Sequence, residues 1–215
     1  MPASAGVIRM PLRPARRGTF SPMSKNAIET ARNLVDQNIR EKPAKSNRHP
    51  IIDKMLTYSG VALGNPWCAA FVTYAFFLAT GTRPAFASAS SQAQKRWGIR
   101  EKRLFTEPQR LLEIRGAIGG WTNEGDPAHG HAFIVDRRFT DTKGRLLAIG
   151  TIEGNTNGAG SRLGDGAYRL RRAINPKDGL WYVQDEKGKF VGTGQNLYFI
   201  DTTGIPGGEW WPKPL

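Results

Sequence analysis

Few residues in this chain are suited to nucleophilic or acid–base chemistry, and they cluster at recognisable spacings. There is one cysteine, Cys68, and there are three histidines, His49, His129 and His131. Cys68 follows Asn65-Pro66-Trp67 and precedes Ala69-Ala70-Phe71-Val72. Asn65 reads as an N-cap whose side-chain oxygen takes a first-turn N–H, and Pro66 suits the first helical position. This register sets Cys68 at the third helical position, where free backbone N–H groups favour a thiolate over a thiol of ordinary pKa, about 8.5. A lone cysteine before an apolar run also suits a small buried hydrophobe. The stretch alone leaves both readings open.

A cysteine nucleophile needs a base, and the base needs a polar group to orient it. His131 begins the alternating run His131-Ala-Phe-Ile-Val-Asp-Arg-Arg138, so His131, Phe133 and Val135 share one face of a strand. Lys143-Gly144 marks a hairpin turn, and Leu146 to Glu153 returns with Leu147, Ile149, Thr151 and Glu153 on one face. Antiparallel pairing then brings Glu153 and Asn155 to the sheet edge where His131 begins. Glu153 is the candidate partner of the imidazole, and Asn155 a second group to fix the ring or donate toward a substrate. Alone, Glu153 equally suits a carboxylate paired with a nearby arginine. His129-Gly130-His131, with Asp126 and Cys68, has the residue types of a zinc site, but Gly130 reads more simply as a turn. No metal or other cofactor is expected, and His129 and His49 read as exposed.

The elements that must position these groups follow from periodicity. Ser24 caps a helix through about Lys42, with Ala27, Ile28, Ala31, Leu34, Val35 and Ile39 on one face. Ile51 to Tyr58 forms a short helix. The cysteine helix carries an apolar stripe of Phe71, Val72, Ala75, Phe76 and Ala79 and stops near Gly81. Ser88 to Trp97 is a further short helix, followed by a basic linker from Arg100 to Arg115. Beyond residue 116 come short β-type runs, with Gly154 to Gly166 as a loop and strands at Tyr168–Ile174, Leu180–Gln184, Lys189–Val191 and Asn196–Asp201. Helices first and an antiparallel meander afterwards predict an α+β domain.

Lys and Arg number 31 against 18 acids, a net charge of +13. That points to an anionic partner or environment, although no zinc-finger spacing, RNP sequence or phosphate loop points to nucleic acid. Residues 1–22, rich in proline and arginine and free of acids, read as a flexible basic tail without the apolar core of a secretory signal. No apolar run is long enough to span a membrane. The division expected is that tail and a single catalytic domain over 23–215, with 185–215 set apart as a C-terminal extension.

Asn65-Pro66-Trp67-Cys68-Ala69-Ala70-Phe71-Val72, then His131-Ala-Phe-Ile-Val135, then Thr151-Ile152-Glu153-Gly154-Asn155-Thr156-Asn157 resembles the CHAP family of cysteine- and histidine-dependent amidohydrolases and peptidases. The resemblance runs from about residue 28 to 184 and takes in Asn47-Arg48 and Gly160-Ser161-Arg162. It departs at Gly116-Ala117-Ile118, where the family usually has Gly-Asp-Ile/Val, and at Phe133, usually glycine. The segment Trp121–Gly130 is also longer than usual. The resemblance implies a papain-like fold with N-terminal helices and the nucleophile at a helix N-terminus packed on an antiparallel sheet. It implies Cys68 as nucleophile, His131 as base, and Glu153 and Asn155 as its supports. Trp67, Trp121, Asn65 and His129 are then the candidate substrate contacts. The implied activity is hydrolysis of peptidoglycan amide bonds through a thioester, by a phage-type lysin or an antibacterial effector. The implied partners are peptidoglycan, anionic envelope polymers and, for an effector, an immunity protein. Such a protein is made in the cytoplasm and reaches the wall by non-classical export or lysis-linked release. The rival readings are an amidase or acyltransferase on a small peptide or polyamine conjugate, and a catalytically idle cationic binding module.

Overall fold

A computed structural model describes residues 26–123 and 126–212, so the basic tail at 1–22 lies outside the described residues. The fold is α+β. Four helices, α1 (Ala27–Asp36), α2 (Pro50–Ser59), α3 (Cys68–Thr80) and α4 (Ser91–Arg100), precede the strands. The strands are β1 (Leu104–Phe105), β2 (Ala117–Asn123), β3 (Asp126–Thr140), β4 (Leu146–Thr156), β5 (Gly166–Ile174), β6 (Trp181–Gln184), β7 (Phe190–Gln195) and β8 (Tyr198–Asp201). They form one curled antiparallel sheet in the order β1-β8-β2-β3-β4-β5-β6-β7. The stretch expected to be a basic linker contains β1 and a short 3-10 helix at Pro108–Leu112. β8, from the segment set apart as an extension, lies between β1 and β2.

Alternation within the strands gives the sheet two apolar faces. Ala132, Ile134 and Ile152 pack with the helices, against Phe71, Val72 and Phe76 of α3. Phe133, Val135 and Ile149 face the other way, into a second cluster with Trp121, Phe199 and Trp181. Burying each large side chain of α3 contributes about 1.5–3 kcal/mol, which fixes that helix firmly on the sheet. Gly154 makes the contact close. A methyl group there would lie 2.6 Å from the Trp67 ring and 2.7 Å from Phe71 Cβ.

Two helix starts differ from expectation. Asn26, rather than Ser24, caps α1, accepting from Glu29 N–H, and the helix ends at Asp36 because Asn38 adopts a left-handed φ of 51°. Ile39 is nonetheless buried, its carbonyl accepting from Ala167 N–H. Asn65 does not cap α3. Its amide donates to the Ala62 carbonyl at 2.9 Å and so closes the preceding turn, and the helix begins two residues later than the sequence suggests.

Candidate active site

Cys68 is therefore the first residue of α3, with no side-chain cap before it. Its N–H lies outside the intrahelical ladder, as those of all first-turn residues do. The start of the helix is anchored through Trp67, whose indole N–H donates to Glu41 at 3.0 Å. Glu41, itself buried, also accepts from Asn47 N–H at 3.0 Å, and the Asn47 amide reaches the Gly64 carbonyl. The whole connection before the thiol is thus tied to one buried carboxylate.

The β3–β4 hairpin pairs Ile134 with Ile152 and Val135 with Thr151. This register brings His131 Nε2 to 3.0 Å from Glu153 Oε2, with both side chains fully buried. A carboxylate can only accept, so the proton lies on Nε2 and the lone pair of the neutral ring on Nδ1. Nδ1 makes no hydrogen bond to the described residues and is the nitrogen available to Cys68. The ring lies against Trp121, with centroids 4.4 Å apart and planes inclined by 33°.

Glu153 is held from its other side by Arg172. The guanidinium forks onto both carboxylate oxygens, Nε to Oε1 at 2.7 Å and Nη2 to Oε2 at 2.9 Å. The Thr151 hydroxyl donates to Oε1 as well. Arg172 is buried on β5, over the rings of Trp121 at 4.6 Å and Phe133 at 5.7 Å. Sequence reasoning missed it and raised only an arginine as an alternative partner for Glu153. The structure places both partners on the same carboxylate.

Each charge in this chain follows from the next. Burial opposes ionisation of Glu153, but the Arg172 charge and the bonds from His131 and Arg172 outweigh it and hold the carboxyl well below its usual range. Burial likewise opposes an imidazolium at His131, yet the charge of Cys68 and the bond to Glu153 raise its pKa to about 8. Burial pushes the Cys68 thiol up, while the His131 charge and backbone N–H groups of Ala132 and Ala69 bring it below its ordinary value. The two shifts together favour a thiolate–imidazolium pair. Tyr198 stands nearby, its ionisation disfavoured by burial and by the Cys68 charge.

Other candidates take different places. Asn155 is buried at a bulge in the β4–β5 ladder, with a left-handed φ of 54°. Its amide makes no hydrogen bond, to His131 or to any other described residue, so the expected contact with the ring is absent. Trp67 and Trp121 are buried and do not offer a surface to substrate; one anchors the helix and the other backs the imidazole. Asn65 and His129 do line the cavity that opens on Cys68, together with Arg162, Ser90 and Ser91. His49 is not idle: its Nδ1 accepts from Ile51 N–H and caps α2. Among the described residues no three His, Cys, Asp or Glu side chains converge as a metal-binding set.

The arrangement is an α+β scaffold carrying a thiol, an imidazole, a carboxylate and a guanidinium in series beside an open cavity. No protein-family model and no curated protein matches the chain.

Proposed function

We propose that this protein is a papain-like cysteine amidohydrolase of the CHAP type that cleaves amide bonds in bacterial peptidoglycan. The observation that carries the reading is the single thiol at a helix start, interacting with an imidazole whose far nitrogen is fixed by a buried carboxylate. The Cys68 thiolate attacks the amide carbon, and the free N–H at the start of α3 serves as oxyanion donor. The carbon–nitrogen bond breaks as His131 gives its proton to the leaving amine, and a thioester remains. His131 then takes a proton from water, whose oxygen attacks the thioester; the carbon–sulfur bond breaks, releasing the acid and restoring the thiolate–imidazolium pair. Glu153 keeps the proton on Nε2 throughout, and Arg172 keeps Glu153 ionised.

The net charge of +13 suits adsorption to an anionic envelope. Among the described residues no helix is long and apolar enough to cross a membrane. The test is incubation of the purified protein with wall sacculi and mass analysis of the released fragments, which distinguishes sugar–peptide amide cleavage from cross-link cleavage. Cys68→Ala should remove the products while leaving the fold intact. Unchanged product formation by that variant, or intact sacculi with the wild type, refutes the reading.

A further inference from the structure

The cavity beside Cys68 measures about 240 Å³. Sites that enclose a whole small ligand usually run to about 300–1,000 Å³, so this one suits a single group of an extended substrate. Among the described residues no Asp or Glu lines it, whereas Arg162 does. Arg162 is half-buried and, among the described residues, makes no hydrogen bond, ion pair or ring contact. Arg32, Arg48, Arg115, Arg145, Arg169 and Arg172 all hold a carboxylate.

The loop that presents Arg162 is fixed from within. Asn157 Oδ1 accepts from the N–H groups of Ala159 and Ser161 at 3.0 and 3.2 Å, and the Thr156 hydroxyl donates to the Ser161 carbonyl at 2.7 Å. Gly160, at φ +73°, approaches so closely that a methyl group would lie 2.5 Å from Val183 and 2.9 Å from Arg172 Nη2. The loop is thus anchored over the buried arginine and does not bring a counter-ion to Arg162. A partly desolvated guanidinium without a partner is unfavourable, and its planar fork matches a carboxylate.

We propose that Arg162 binds a carboxylate of the substrate, so that the cleft takes acyl compounds bearing a free carboxylate beside the bond that breaks. The inference deepens the proposed function and rests on Cys68 being its nucleophile, but it can be tested without wall substrate. Iodoacetate and iodoacetamide alkylate the same sulfur and differ chiefly in charge, and Cys68 is the chain's only thiol. The rate of each is read by protein mass for the wild type, Arg162→Gln, Arg162→Lys and Arg137→Gln. Arg137 is exposed and lies outside the cavity. Arg162→Gln should slow iodoacetate about tenfold, the order expected for one charge-assisted hydrogen bond, and leave iodoacetamide nearly unchanged. Arg162→Lys should keep part of the preference and Arg137→Gln all of it. An unchanged rate ratio in Arg162→Gln, or an equal loss in Arg137→Gln, overturns the proposal.

A second measurement needs no variant. At constant ionic strength, acetate should protect wild-type Cys68 from iodoacetamide and acetamide should not; equal effects overturn the proposal. Charge preference without wall hydrolysis would remove the peptidoglycan reading and leave the carboxylate site standing. Wall hydrolysis without charge preference would do the reverse.

Discussion

Arg172→Met should be among the most damaging single changes outside the thiol and imidazole, because of what it leaves behind. The substitution keeps side-chain length but strands the Glu153 carboxylate, fully buried, with only the Thr151 hydroxyl and the imidazole as partners. Breaking one side of a buried ion pair costs about 3–5 kcal/mol, whereas replacing both sides by neutral groups of similar volume is close to neutral. For a domain of this size 1 kcal/mol moves the melting temperature by about 2–4 °C, so the variant should melt roughly 6–20 °C below wild type at neutral pH. Arg172→Met combined with Glu153→Gln should regain most of that loss. The pH dependence has a definite sign. The folded-state pKa of Glu153 is depressed, so its contribution is full above the unfolded value of about 4.3 and is lost as pH falls. The gap between wild type and Arg172→Met should therefore narrow in acid. Urea unfolding of wild type, Arg172→Met, Glu153→Gln and the double variant, at neutral pH and near pH 4, measures the coupling. A loss under about 1 kcal/mol in Arg172→Met, or single effects that simply add in the double variant, would refute the reasoning.

Three further outcomes are expected. The imidazolium that protonates the leaving amine is lost near pH 8, so hydrolysis should decline there; Glu153→Gln should move this basic limb to lower pH, read from rate–pH profiles of single-turnover acylation. His131→Ala should reduce hydrolysis by about 100-fold or more, as loss of a general base does, while His129→Ala changes it far less; the reverse order in product assays would displace His131 from its role. Gly154→Ala forces a methyl group into Trp67 and Phe71 and should destabilise the fold by about 1–3 kcal/mol in denaturant titrations, with Cys68 alkylation altered because α3 moves.

The pairing of His131 with Glu153 was legible because two signals agreed. Period-two alternation assigned both residues to faces, and the Lys143-Gly144 turn set which ends meet. Arg172 was illegible for a related reason. In Tyr168-Arg169-Leu170-Arg171-Arg172 three arginines look alike, and only the pairing of Arg172 with Ile149 across β4 shows that it shares the buried face of Glu153. Cap chemistry misplaced the start of α3 because Asn65-Pro66 is a sound local signal overridden by a competing turn bond, Asn65 to Ala62, and a tertiary one, Trp67 to Glu41. The two tryptophans could not be sorted from sequence, since an aromatic that lines a cleft and one that fills a core share the same hydropathy. The bulge at Asn155 depends on a left-handed backbone that asparagine tolerates, and nothing in the spacing announces it.

The insertion of β8 between β1 and β2 has a consequence for how the molecule is made. Leu104 pairs with Ile200 and Gly120 with Tyr198, so strands from the middle of the chain await one synthesised long after them. The β2–β5 meander can zip together by neighbouring turns as it leaves the ribosome, but closure at the β1 side needs a long loop to be drawn in first, which slows folding. Tyr198, the residue of β8 whose ionisation responds to Cys68, belongs to that late strand. A nascent polypeptide therefore carries its thiol, imidazole and carboxylate early, yet leaves the β8 side of that sheet open until residue 198 and its neighbours have been threaded into place.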